Sequence, residues 1–135
     1  MREDPTNRPP RIVVSKSDHD RLTDLATASL DRVPETAQEL LDEMERAEIV
    51  GAAAVPANIV GMGSTVTFQS DGGRKRRVTL VFPVAEDIAA SRVSVLTPIG
   101  TALIGLSEGQ SIEWSARDGR RHQLTVLAVE PPPAS

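Results

Sequence analysis

The chain predicts an α+β fold: a short antiparallel helical hairpin followed by an antiparallel sheet wrapped on one short helix. Three observations carry that expectation. Apolar residues recur at helical spacing between 22 and 47, and from Ser64 onward they alternate with polar ones at period two. Between the strand-like stretches, Val93 to Gly109 compresses a strand, a capped helix and two glycine stops into one string.

Length and composition bound the reading. With 135 residues the chain holds one small core, and its lack of cysteine excludes disulfides, thiolate metal sites and cysteine nucleophiles. That usage suits a reducing cytoplasm. The opening MREDPTNRPPR has no apolar segment of the kind a secretion signal needs, and no run approaches the roughly 20 apolar residues that span a bilayer. A cytoplasmic protein is expected.

In chain order, residues 1–11 read as a flexible tail, because Pro5, Pro9 and Pro10 stand among polar residues that bury little. Residues 12–50 read as the helical hairpin. Ser17 with Asp20 resembles a capping box, and Leu22, Leu25, Ala26 and Leu30 form an apolar stripe. Arg32, Val33 and Pro34 interrupt it, after which Ala37, Leu40, Leu41, Met44 and Ala47 form a second stripe. Each helix, about 22 Å long, is marginal alone, so the two pack stripe against stripe as a short coiled coil. GAAAVPA at 51–57 reads as a linker, with Pro56 disfavouring helix before it.

Residues 58–131 read as the second module. Thr65 to Gln69 and Val78 to Phe82 make one hairpin across Asp71-Gly72-Gly73. Ile112 to Ala116 and Leu124 to Val129 make another across Asp118-Gly119, and Arg92 to Leu96 adds a fifth strand. Thr97 caps a helix that Pro98 opens and Gly105 ends, while Gly100 inside it costs about 1 kcal/mol against alanine and implies a close approach. Residues 132–135 read as a second flexible tail.

The string Thr97-Pro98-Ile99-Gly100-Thr101-Ala102-Leu103-Ile104-Gly105, with Gly109 beyond it, resembles the C-terminal signature of the Gre family of bacterial transcription factors. Thr97 stands where that motif usually has serine. With Asn58-Ile59-Val60-Gly61-Met62-Gly63-Ser64 upstream, the chain is most similar within the family to the regulators of nucleoside diphosphate kinase. The resemblance implies an FKBP-like sheet domain that docks on RNA polymerase at the rim of its secondary channel. Ser94, Thr97, Pro98, Ile99 and Leu103 are the implied polymerase contacts. At the hairpin tip stand Asp31, Arg32 and Glu35, where Gre factors carry a longer coiled coil whose acids reach the catalytic magnesium. Ten or more missing residues per helix leave this tip some 15 Å short, so binding without transcript cleavage is expected, in competition with Gre-type factors. Any effect on nucleoside diphosphate kinase is then indirect; direct binding of that kinase and prolyl isomerisation are the alternatives.

Charge is uneven. Residues 15–48 carry ten acids against four bases, whereas 51–135 are almost balanced, with Arg74, Lys75, Arg76 and Arg77 bunched at a hairpin edge. An acidic first module opposes direct binding to nucleic acid, whose affinity rests on neutralised phosphates. The basic run both discourages edge pairing and complements an acidic partner. Catalytic chemistry has no support: the two histidines, His19 and His122, lack metal-ligand spacing, and there is no phosphate-binding glycine loop or serine elbow. Two phenylalanines, one tryptophan and no tyrosine cannot wall an aromatic isomerase pocket. No catalytic residue, metal or cofactor is expected.

Overall fold

The computed structural model describes residues 10–71, 73–116 and 119–132, and it is α+β. Gly72, Asp118 and most of both expected tails lie outside the described residues. Helix α1 (Lys16–Ser29) buries Leu22, Ala26 and Ser29, and α2 (Pro34–Arg46) buries Ala37, Leu40 and Met44 against it. Both stripes follow from apolar residues repeating every three to four positions. The expected cap is displaced by two residues. Ser15, not Ser17, is the N-cap and its hydroxyl accepts from the Asp18 N–H at 3.1 Å, because Ser15 ends an extended segment with the φ and ψ a cap requires. Asp20 instead pairs with Lys16 one turn back.

That extended segment is β1 (Val13–Ser15), which runs parallel to β2 (Glu48–Val50) in a two-stranded ribbon. The ribbon ties the two feet of the hairpin together, so residues 12–15 and 48–50 are not helical. Ile12 is almost fully buried beneath it, and the Val13 N–H donates to the Gly105 carbonyl.

Strands β3 (Thr65–Ser70), β4 (Lys75–Val81), β5 (Arg92–Ser94), β6 (Ser111–Ser115) and β7 (Arg121–Glu130) form a sheet in the order β5-β4-β3-β7-β6. The expectation of an antiparallel sheet needs one correction: β5 runs parallel to β4. The 82–91 loop, with two 3-10 turns, steps the chain back so that Arg92 sits beside Thr79, and the chain continues in the direction of β4. Inward-facing Val66, Phe68, Val78, Leu80, Leu124 and Val126 alternate with outward residues, as the two-residue period demands. Helix α3 (Pro98–Leu103) covers this face. Leu22, Ala26, Leu40 and Met44 of the hairpin join the same apolar cluster as the sheet. Hairpin and sheet therefore share one core.

Candidate partner-binding surface

A six-residue helix is far below the length that holds itself together in water, and side-chain hydroxyls clamp α3 in place. The Thr97 hydroxyl accepts from the Gly100 N–H at 3.0 Å and donates to the Ser94 carbonyl at 2.7 Å. Ser94 Oγ accepts from the Leu96 N–H, and the Thr101 hydroxyl donates to the Val95 carbonyl. A Cβ on Gly100 would lie 2.2 Å from the Ser94 carbonyl oxygen, so the close approach implied by this glycine is to the chain's own backbone. Gly105 is doubly constrained: its φ is +83°, and a Cβ there would meet Ile12 at 2.7 Å.

This clamp divides the five residues of the expected contact set. Ser94, 2% exposed, and Leu103, 0% exposed, are interior. Thr97, Pro98 and Ile99 are half-buried and form the surface of the corner. The interior pair is fixed by backbone bonding and core packing and holds the other three in place.

At the tip, Asp31, Arg32 and Glu35 are all exposed, and the Arg32 guanidinium lies 3.5 Å from the Ser29 hydroxyl. The base of the hairpin is seated. Asp18 accepts from the Met62 N–H at 3.3 Å, the Arg21 guanidinium lies 4.2 Å above the Phe82 ring, and His19 Nε2 meets the Met44 carbonyl at 3.1 Å. Glu39 and Glu43 of α2 face α3 and β6 across a cleft of about 180 Å³ that also involves Pro98, Thr101, Trp114 and Arg121. From Glu39 to Pro34 the helix extends about 8 Å beyond this cleft.

Burial raises the Glu43 carboxyl above its usual range despite the Arg46 guanidinium at 2.6 Å. Glu39 is also raised, by partial desolvation and then by Glu35, Glu43 and Asp42. Sequence reasoning missed this cleft. The available signal was the four-residue spacing of Glu39 and Glu43, which puts both on one helix face.

Of the basic run, Arg74, Lys75, Arg76 and Arg77 are all exposed on β4 and its approach. Arg77 makes a forked pair with Glu130 at 2.9 and 3.0 Å, and Arg76 sits 5.6 Å from the Phe68 ring centre. His122 Nδ1 meets the Asp71 carboxylate at 2.6 Å and its ring leans on Trp114, with centres 5.1 Å apart. A backbone hydrogen bond from Gln123, then His122, lowers the Asp71 carboxyl. Among the described residues, no three His, Asp or Glu side chains are grouped to hold a metal ion, and no helix is long and apolar enough to cross a membrane.

A two-part architecture of this kind has known counterparts. A family profile described as "Transcription elongation factor, GreA/GreB, C-term" matches residues 55–131, and one described as "Rnk N-terminus" matches residues 10–50. The chain belongs to the Gre family and carries an Rnk-type N-terminal part. It is 32% identical over 122 residues to the "Regulator of nucleoside diphosphate kinase" of Escherichia coli strain K12, covering 90% of each protein. It is 34% identical over 84 residues to the "Transcription elongation factor GreA" of Azorhizobium caulinodans, covering 62% of this chain and only 54% of that one. Among solved structures it is similar to a prokaryotic GreA/GreB elongation factor from Nitrosomonas europaea, with TM-score 0.71 and 33% identity over 90% of this chain and 98% of that one. This Gre-family member therefore combines a regulator-like first part with the elongation-factor C-terminal part, a combination that suggests a transcription regulator.

Proposed function

We propose that this protein is a noncatalytic cytoplasmic transcription regulator that binds RNA polymerase at the secondary channel. There it competes with Gre-type factors without inducing transcript cleavage. The observation that carries this reading is a shortened acidic hairpin mounted on a Gre-type C-terminal part. Its helices have 14 and 13 residues, about 20 Å each, and the base of the first is occupied by contacts with Met62, ahead of β3, and Phe82, just after β4. Thr97, Pro98 and Ile99 offer the docking surface, and the basic edge at Arg74 to Arg77 adds attraction for an acidic partner. Asp31 and Glu35 occupy the channel mouth but do not reach the catalytic magnesium. Changes in nucleoside diphosphate kinase follow from altered expression.

The experiment is size-exclusion of the protein with core RNA polymerase, with and without a Gre competitor, beside a transcript-cleavage assay on stalled complexes. Co-elution that Gre abolishes, with no added cleavage, is expected. Failure of Gre to displace it would remove the channel placement. Pull-down that retains the kinase but not polymerase would favour direct kinase binding, the reading prompted by the name of the Escherichia coli relative. Prolyl isomerisation has less behind it: Phe68 is in the core, Phe82 lies under Arg21, and Trp114 leans on His122, so the three aromatic rings wall no common pocket.

A further inference from the structure

The β1–β2 ribbon is covered on one side only. Beyond β1 lies Gly105, whose carbonyl accepts from the Val13 N–H, whereas no strand follows β2 in the sheet order. Along a strand the N–H and C=O of one residue turn to the same side, and those of the next residue turn to the other. The Glu48 N–H donates to the Ile12 carbonyl at 2.9 Å and so faces β1, which turns the N–H and C=O of Ile49 outward. Among the described residues no other main-chain group meets them.

Sheet edges are usually guarded by charge, proline or a bulge, and this one is not. Ile49 is 48% exposed, and from Ile49 to Ala57 the chain reads IVGAAAVPA, without one charged or hydrogen-bonding side chain. Gly51 to Ala54 are exposed, as are Pro56 and Ala57. The one charge on β2 is Glu48, and Arg11 pairs with it. A neutral edge of this kind admits another strand, and its own geometry selects which. An outward N–H and C=O on one residue are complementary to the same two groups on an antiparallel copy, so Ile49 can exchange both bonds with itself across a two-fold axis. Glu48 then stands opposite Val50 of the second copy, and the two carboxylates do not face each other.

We propose that β2 is the contact of a symmetric homodimer, with Ile49 on its two-fold axis and the uncharged 51–57 segments flanking it. Residues 48–57 supply about ten positions on each side, against the roughly 20–30 of a standard interface, so the association is weak and depends on concentration. The assignment does not rest on polymerase binding and stands or falls apart from it.

Two measurements on the full chain test it. In sedimentation equilibrium over a wide concentration range, the mass should rise from 14.5 kDa toward twice that value. Ile49→Pro removes the outward donor without touching a β1–β2 bond, and Ile49→Lys keeps the donor but places a charge on the edge. Loss of both exchanged bonds predicts about thirtyfold weaker dimerisation in Ile49→Pro. Unchanged helical circular dichroism shows that a variant has folded; should Ile49→Pro fail there, Ile49→Lys decides. In the second measurement, Ile49→Cys supplies the only thiol of a chain that has no cysteine. Paired Cα atoms about 5.5 Å apart lie within disulfide reach, so mild oxidation should link Ile49→Cys chains faster than Val84→Cys chains, whose position is 96% exposed. A wild type that stays monomeric at its highest soluble concentration overturns the proposal. So does a dimer that Ile49→Pro and Ile49→Lys leave intact, which would be held by another surface such as Val84 and Ile88. Equal linking of the two cysteine variants overturns it as well.

Discussion

Gly100 shows how much one missing methyl group can decide. A Cβ 2.2 Å from a carbonyl oxygen cannot be accommodated without moving β5 from α3, so Gly100→Ala should destabilise by about 1–3 kcal/mol despite the higher helix propensity of alanine. Urea unfolding checks this; equal or greater stability would show that the corner yields easily. Thr97→Val keeps the shape but removes the cap and the bond to Ser94, which predicts a loss of about 1 kcal/mol by the same measurement. Glu39 acts in the opposite sense. An acid whose folded pKa is raised contributes no penalty below its ordinary value of 4.5, and the penalty grows as pH rises through the folded value. Glu39→Gln should therefore be more stable than wild type at pH 7, by about a few tenths of a kcal/mol after solvent screening, and equal to it near pH 4. Melting at both pH values tests the sign.

The two helices were legible because a stripe repeated over four turns is a strong signal, and the β3–β4 and β6–β7 hairpins because alternation and turn residues coincide. The β1–β2 ribbon was not. Three-residue segments carry no measurable period, and Val13 pairs with Glu48 only after the helices between them have packed. The same limit hid the parallel direction of β5, which its neighbour and the preceding loop set rather than its own residues. The Thr97 to Gly105 corner was readable to the residue because its cap, its Pro98 start and its glycines are local. The cleft was not, because Glu39 and Trp114 are far apart in the chain. Ile12 tests the ribbon. It is buried where the ribbon meets Gly105, so Ile12→Ala should cost about 2–4 kcal/mol and speed hydrogen exchange at Glu48, whose N–H donates to the Ile12 carbonyl. Slow exchange at Glu48 in that variant would show that the ribbon does not depend on this side chain.

For the molecule as a whole, a single core joining hairpin and sheet predicts one cooperative transition. Helical circular dichroism reports mainly the hairpin, and Trp114 emission reports β6, so the two midpoints in urea should coincide. Separate midpoints would show two independently stable parts. The ribbon has another consequence at this scale. Because Val13 and Glu48 are stitched side by side, the chain leaves the body and returns to it at a single doorway. The turns nearest the doorway join the common core, and only the stretch beyond them, toward the Asp31–Pro34 bend, is an excursion whose length the body does not register. Adding matched turns to both helices at the Asp31–Pro34 bend would move the tip outward by about 5.4 Å per turn while every bond at the doorway stays as it is. Prongs of different reach can thus be mounted on one unchanged base.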